Sequence, residues 1–425
     1  MKRIMAVYGT RPEAIKMAPA VEALRESADF EPLVAVTGQH RSMLDQVNRL
    51  FGIEPDYDLD ILSAGQTLTD ITNRTLHRLR PVLEKERPDA VLVQGDTTTT
   101  LAGALAAFYQ KIPVFHLEAG LRTRSKYAPY PEEMNRRLTT RLADLHLAPT
   151  TTARQNLLRE GVGEKSVVVT GNTVIDALLR TVDRTAGQVS DPVVRLLETD
   201  PRRVLLVTAH RRESWGEGME SIGRALATLA ALHPDLLVVF PIHRNPAVRS
   251  AILPKVAGRE NVRVVEPLDY EGFAHLMNRA HLILTDSGGV QEEGPSLGKP
   301  VLVMRESTER PEGVAAGTVA LVGTDGARIV AEVTRLLHDP VAHARMAQAV
   351  NPYGDGRAAE RMVQALGHWF GLSDAPADFI GTSAVSAAAT AGDDLPAQTR
   401  RHDALAAGPE GDGLRLSLSG SAGHQ

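Results

Sequence analysis

Carboxylates, histidines and arginines recur in this sequence directly after short apolar runs. Gly9-Thr10-Arg11-Pro12-Glu13 follows one such run, Gly95-Asp96-Thr97-Thr98 another, and Glu118-Ala119-Gly120-Leu121-Arg122 a third. Further along come Thr208-Ala209-His210-Arg211-Arg212-Glu213, Pro241-Ile242-His243, Asp286-Ser287-Gly288-Gly289 and Arg305. Carboxylates and a histidine so placed supply acid–base groups, while arginines and glycine turns bind anions. Two of the turns have the chemistry of phosphate sites. Asp286-Ser287-Gly288-Gly289-Val290 reads as strand end, glycine-rich turn and helix start, where free backbone N–H groups take an anion. Gly9-Thr10-Arg11-Pro12 is similar: Pro12 suits a first helical position, and Arg11 and Lys16 add positive charge. Two such turns opposite one another, with Arg310 near the second in sequence, favour a ligand that carries a diphosphate.

Each acidic or histidine residue also has a plain structural reading. Asp96 precedes Thr97–Thr100 and would serve equally as a helix cap. Glu118 stands between an apolar strand and a glycine, where folding needs no carboxylate, so a functional role is assigned to it. Glu132 and Glu133 lie four residues before Arg136 and Arg137, the spacing of helix ion pairs. The preceding Tyr127-Ala128-Pro129-Tyr130-Pro131 loop would nevertheless project one of them into a cleft. His210, beside two arginines and Glu213, is placed for phosphate contact or proton transfer rather than as a buried structural histidine.

Other chemistries lack their signatures. No G-x-G-x-x-G follows the first apolar run, Gly298-Lys299 runs into Pro300 instead of a Walker loop, and neither H-E-x-x-H nor G-x-S-x-G occurs. Asp56-Tyr57-Asp58-Leu59-Asp60 imitates a D-x-D metal motif but has no apolar strand before it, and reads as a solvated loop. The absence of cysteine excludes thiolate nucleophiles, disulfides, Cys-type zinc sites and Fe–S clusters. Lys and Arg total 47 against 52 Asp and Glu, a balance of −5 that argues against a nucleic-acid coat or a polybasic membrane binder. No run reaches the 18 apolar residues of a spanning helix, and the apolar part of MKRIMAVYGTRPEAI is too short for a signal peptide. A cytoplasmic protein is expected.

The elements that must position these residues follow from the apolar pattern. Strands are expected at Arg3–Tyr8, Leu33–Thr37, Ala90–Gln94, Val114–Leu117, Leu145–Ala148 and Val167–Thr170. A second series is expected at Val204–Thr208, Leu236–Phe240, Val262–Val265, Leu282–Thr285, Val301–Met304 and Val319–Val322. Most are uniformly apolar, as strands covered on both faces must be. Helical stretches such as Ala14–Arg25, Leu68–Glu86 and Met219–Leu232 lie between them. The chain therefore reads as α/β, with two doubly wound Rossmann-like domains facing a central cleft. Their boundary is expected near residues 175–200, where Gly187, Ser190, Asp191 and Pro192 interrupt the pattern. We divide the chain into a first domain at 1–175, a second, nucleotide-binding domain at 176–355 and a C-terminal helix at 356–372. That helix packs on either domain, with a crossing back to the first as one possibility. From Ser373 to Gln425, 25 of 53 residues are Ala, Gly or Ser, too little apolar surface to offset ordering, so a disordered tail is expected.

Nine segments, in order, carry a resemblance: GTRPEAIKMAP, GDTTTT, HLEAGLRT, PEEMNRR, GNTVIDAL, TAHRRES, TDSGGVQEEGPSLGKPVLVMRE, TERPEG and NPYGDG. They resemble the bacterial non-hydrolysing UDP-N-acetylglucosamine 2-epimerases over residues 1–370. The resemblance implies a fold like the GT-B glycosyltransferases, a homodimer, and no metal or nicotinamide cofactor. It implies interconversion of UDP-N-acetylglucosamine and UDP-N-acetylmannosamine, through elimination of UDP to 2-acetamidoglucal and re-addition, in the service of cell-envelope polysaccharide synthesis. By position it implies catalytic roles for Asp96, Glu118 and Glu132 as acid/base and cation-stabilising groups, and for His210 in UDP departure. It implies substrate contacts by Arg11, Lys16, Ser287, Gly288, Gly289 and Arg310, with Glu293 at the ribose and Phe273 near the uracil. Leu268 stands where some members have Gln. A second, activating UDP-N-acetylglucosamine would meet Gln39, His40, Gln66, Arg211 and His243, while Ser42 and Gly65 depart from the longer polar residues of other members. Rival readings are an epimerase of a modified UDP-sugar, a hydrolysing epimerase, a GT-B glycosyltransferase and a silent nucleotide-sugar sensor.

Overall fold

Thirteen strands form among the described residues, all paired in parallel. The structure, a computed structural model, describes residues 1–38, 41–123, 125–185 and 189–381, without the side chains of residues 41 and 42. The first sheet holds β1 (Lys2–Tyr8), β2 (Phe30–Val36), β3 (Tyr57–Asp58), β4 (Ala90–Gln94), β5 (Val114–Leu117), β6 (Leu145–Ala148) and β7 (Val167–Val169), in the order 3-2-1-4-5-6-7. The second holds β8 (Arg203–Thr208), β9 (Leu236–Pro241), β10 (Val262–Val265), β11 (Leu282–Thr285), β12 (Val301–Val303) and β13 (Val319–Leu321), in the order 10-9-8-11-12-13. Both orders reverse at an inner pair, β1/β4 and β8/β11, and that is where doubly wound sheets bind ligands.

Burial explains why the strands read as continuous apolar runs. In β1, Ile4, Ala6 and Tyr8 enter one core cluster while Met5 and Val7 enter another on the opposite face. In the second sheet Leu205, Val207, Val238 and Phe240 face one cluster, and Val204, Leu206, Leu237 and Val239 the other. Side chains alternate across a strand, so a sheet covered by helices on both faces needs an apolar residue at nearly every position.

The two α/β domains sit in one compact unit. The helix Thr173–Arg184 lies at their junction: Val174, Ile175 and Ala177 join the first core, Leu178 the second. Gly187, one of the expected boundary residues, lies outside the described residues. The chain returns through residues 351–357 to the helix Ala358–Trp369, whose Met362, Ala365 and Leu366 pack into the first core. Buried Asp176 caps that helix, accepting from the N–H groups of Ala358 and Ala359 at 3.2 and 2.9 Å.

Two local expectations differ from the structure. Tyr57–Asp58 is a two-residue edge strand rather than a loop; Leu59 is buried behind it and Asp56 accepts the Val34 N–H at 2.7 Å. The segment expected to be disordered from Ser373 has an attached beginning. Phe379 is buried, its N–H donates to Val169 at 2.7 Å, and Asp378 accepts the Val169 N–H at 2.8 Å. One buried aromatic, one backbone bond and one side-chain bond to an edge strand offset the ordering that composition alone disfavours. Residues 382–425 of that expectation lie outside the described residues.

Candidate active site

The strand ends at β1 and β4 are joined by a buried carboxylate. Glu13, in the first turn of the helix Arg11–Glu26, accepts the N–H groups of Gly9 and Thr10 at 3.1 and 2.8 Å and the hydroxyls of Thr97 and Thr100 at 2.7 and 3.1 Å. Burial holds its carboxyl above the usual carboxylate range. Glycine is required beside it, since a Cβ on Gly9 would come 1.9 Å from Thr37 Oγ1. This clamp sets Arg11, Lys16 and Asp96 at one end of the first sheet.

Asp96 does not cap the following helix. Thr97 does, accepting the Thr100 N–H at 3.1 Å, and Asp96 turns instead to Arg136 at 2.5 Å. Burial pushes the Asp96 carboxyl up, against the pull of Arg136, and the neighbouring Glu118 adds to the rise. Glu118 follows β5 with φ +63°, a left-handed conformation costly for a non-glycine residue and concentrated at functional sites. Its carboxylate accepts from Lys16 Nζ at 2.5 and 2.7 Å, Gln94 Nε2 at 2.5 Å and Asn172 Nδ2 at 3.0 Å. Burial raises the Glu118 carboxyl, but Lys16, with Arg310 and Asn172, outweighs it and leaves it below the usual range. Lys16 in turn is held above the usual lysine range: burial lowers it, and Glu118 and Glu292 more than compensate.

The two neighbouring glutamates of the helix Glu132–Leu142 divide. Glu133 is fully buried and accepts from Arg137 at 2.8 Å, Arg136 at 3.4 Å and the Thr123 N–H at 3.0 Å. Glu132 does not take the Arg136 partner that its spacing offers, and its buried Oε2 has no hydrogen-bond partner among the described residues. It faces a cavity of about 310 Å³ with Lys16, Asp96, Glu118, Arg136, Arg211 and Arg310.

A larger cavity of about 780 Å³ adjoins it, with Lys16 and Arg310 lining both. Arg11, His210, His243, Leu268, Phe273, Ser287, Gly289 and Glu293 are on its walls. The helix Gly288–Ser296 begins there, and its first-turn N–H groups have no intrahelical acceptor. His210 Nδ1 lies 2.9 Å from Asp286 Oδ1, and Asp286 Oδ2 accepts the His210 and Arg211 N–H groups at 2.7 Å each. Burial raises the Asp286 carboxyl, yet His210 and these donors hold it below the usual range. Glu293 is pushed up to about 7, by burial first and then by adjacent Glu292.

Of the remaining expected residues, Gly288 starts the helix without lining either cavity; a Cβ there would lie 3.6 Å from Arg211. The second-site residues that are described do not share one cavity. Arg211 lines the carboxylate cavity, His243 the larger one with its ring 5.9 Å from that of His210, and Gln66 neither, its Oε1 accepting the Ser63 N–H. Gln39 and His40 lie outside the described residues, as does the Ser42 side chain. Sequence reasoning passed over Arg136, Asp286, Asn172 and Glu292. In the sequence Arg136 reads only as a helix ion pair and Asp286 only as part of a turn; the other two stand inside GNTVIDAL and SGGVQEEG without a role.

Residues 22–367 match the model of the family described as UDP-N-acetylglucosamine 2-epimerase. A protein of that name from Salmonella typhimurium is 56% identical over 370 residues, covering 86% of this chain and 98% of that one. Another of the same name from Escherichia coli K12 matches with the same identity and coverage. Among solved structures, a UDP-GlcNAc 2-epimerase from Neisseria meningitidis bound to UDP-GlcNAc is 48% identical, with a TM-score of 0.76 over 86% of this chain and 99% of that one.

Proposed function

The chain belongs to the UDP-N-acetylglucosamine 2-epimerase family and is an enzyme of that activity; we propose that it works by eliminating UDP and adding it back. The proton on carbon 2 is not next to a carbonyl, so it becomes acidic only as the bond from carbon 1 to the UDP oxygen breaks. A base takes that proton, the C–H electron pair becomes the double bond of 2-acetamidoglucal, and the C–O pair leaves with UDP. Re-addition reverses these steps with the proton delivered to the other face of carbon 2, giving UDP-N-acetylmannosamine.

The observation that carries this reading is the junction of two unlike cavities at Lys16 and Arg310. On one side stand three carboxylates, and the proton affinities of Glu118 and Asp96 diverge. Glu118, held ionised, suits the cation-like sugar, while raised Asp96 and unpartnered Glu132 suit proton transfer. On the other side Arg11, Arg310, His210 and the first turn at Ser287–Gly289 are donors for a departing diphosphate. Glu293 would accept from the ribose hydroxyls and Phe273 would pack on the uracil. We assign Arg211 and His243, with Gln39, His40 and Gln66, to a second UDP-N-acetylglucosamine that activates the first. A cytoplasmic homodimer feeding cell-envelope polysaccharide synthesis completes the proposal.

The site test is Glu118→Gln. Turnover falls about 10²–10⁴-fold, with the unfolding transition still cooperative. Near-normal turnover removes Glu118 from the mechanism.

A further inference from the structure

Asn172 has no part in the roles above, yet it touches both halves of the site. One side-chain N–H goes to Glu118 Oε1 at 3.0 Å, at the end of β5; the other goes to Glu292 Oε2 at 2.8 Å, on the helix Gly288–Ser296. Its Oδ1 accepts the Val174 N–H at 3.2 Å, capping the helix Thr173–Arg184, and its own N–H donates to Tyr353 at 2.7 Å. The residue is 3% exposed, and its side-chain donors and acceptor are all used. It stands where the chain passes between the domains in both directions, at residues 170–173 and 351–357. Asn351, on the returning stretch, donates to the Glu292 carbonyl at 2.9 Å.

The contacts form one line: Arg310 to Glu292, Glu292 to Asn172, Asn172 to Glu118, and Glu118 to Lys16. Two ionised carboxylates repel, and a neutral amide with two N–H groups can satisfy both without adding charge. A serine offers one donor and an ionised aspartate none. Glu118 comes from the first domain and faces the sugar end; Glu292 comes from the second and holds Arg310 at the phosphate end.

We propose that Asn172 is a positioning residue for the epimerisation, an amide bridge that keeps the catalytic carboxylate of one domain in register with the phosphate-binding arginine of the other. The bridge sets Glu118 while the domains are engaged, so sugar chemistry is coupled to the seating of the nucleotide. This inference rests on the role proposed for Glu118.

The test is kcat and KM for UDP-N-acetylglucosamine in Asn172→Ser and Asn172→Asp, with thermal unfolding beside them. Both replacements keep an acceptor that caps the helix, and both lose the two-way bridge. Misplacement of a reacting group by about 1 Å costs on the order of 10²-fold. Accordingly kcat falls about 30-fold or more in both variants, KM changes less than about threefold and the unfolding transition stays cooperative. If Asn172→Ser does not fold, Asn172→Asp decides alone. A kcat within about threefold of the parent overturns the bridge, and so does a raised KM at unchanged kcat, which would make Asn172 a binding contact. Glu118→Gln measured alongside separates the two levels: its near-normal turnover overturns the underlying reading. An inactive Glu118→Gln beside an active Asn172→Asp overturns the bridge alone.

Discussion

Glu132 and Glu133 are chemically identical neighbours whose surroundings give them opposite consequences on replacement. Glu133 is fully buried between two arginines and the Thr123 N–H. Removing its charge leaves those donors unpaired in the interior, so Glu133→Gln costs about 3 kcal/mol of stability. Glu132 Oε2 has no hydrogen-bond partner to lose. Glu132→Gln therefore leaves the unfolding midpoint unchanged or slightly raised while turnover falls about 10²–10⁴-fold; thermal denaturation and turnover of both variants check the contrast. The spacing to Arg136 and Arg137 was visible in the sequence and described both glutamates equally. What separated them was the placement of the helix, which brings Arg136 to Asp96 and leaves Glu132 facing the cavity. Asp96 follows the same pattern: its position was legible, but the choice between cap and cleft depended on Thr97 taking the cap.

At the scale of elements, strand positions were legible because parallel sheets covered on both faces leave an unbroken apolar run. Five of them, Ala90–Gln94, Val114–Leu117, Leu145–Ala148, Val262–Val265 and Leu282–Thr285, have the expected limits. Tyr57–Asp58 was not legible, since two residues at a sheet edge carry no such run. Inside the first sheet His116 and His146 are register partners on β5 and β6, both buried. His116 Nε2 meets the Gly95 carbonyl at 2.7 Å, next to Asp96. Burial lowers their proton affinities to about 4 and about 3, and the charge of His116 further lowers His146. Unfolded histidine titrates near 6.5, so below that pH the unfolded chain takes up protons the folded one refuses. Stability from this pair is complete above about pH 6.5 and declines as pH falls toward 4, by about 1.4 kcal/mol per unit per histidine. Denaturation midpoints between pH 7 and 5 for the parent and a His116→Gln/His146→Leu variant isolate the effect, and the variant shows the shallower acid loss. Equal slopes would mean the histidines accept protons in the folded state.

The molecule as a whole divides less cleanly than composition implies. The helix Thr173–Arg184 contributes to both cores, and the helix Ala358–Trp369 returns from the second sheet to the first core. Neither arrangement is written in local pattern, because each depends on which distant surface an amphipathic face meets. The mild −5 balance likewise hid Lys16, Arg11 and Arg310 gathered at one cleft. The residue types for acid–base and phosphate chemistry were legible at the strand ends; the amide bridge through Asn172 was not, since it joins residues 54 and 120 positions apart. The central claim is that one cleft breaks and remakes both the carbon 2–hydrogen and carbon 1–oxygen bonds of a single UDP-sugar. Incubation with UDP-N-acetylglucosamine in deuterated water tests it most directly. UDP-N-acetylmannosamine carrying deuterium at carbon 2 is the predicted product; free sugar, epimer without deuterium, or turnover only with an added acceptor would contradict it.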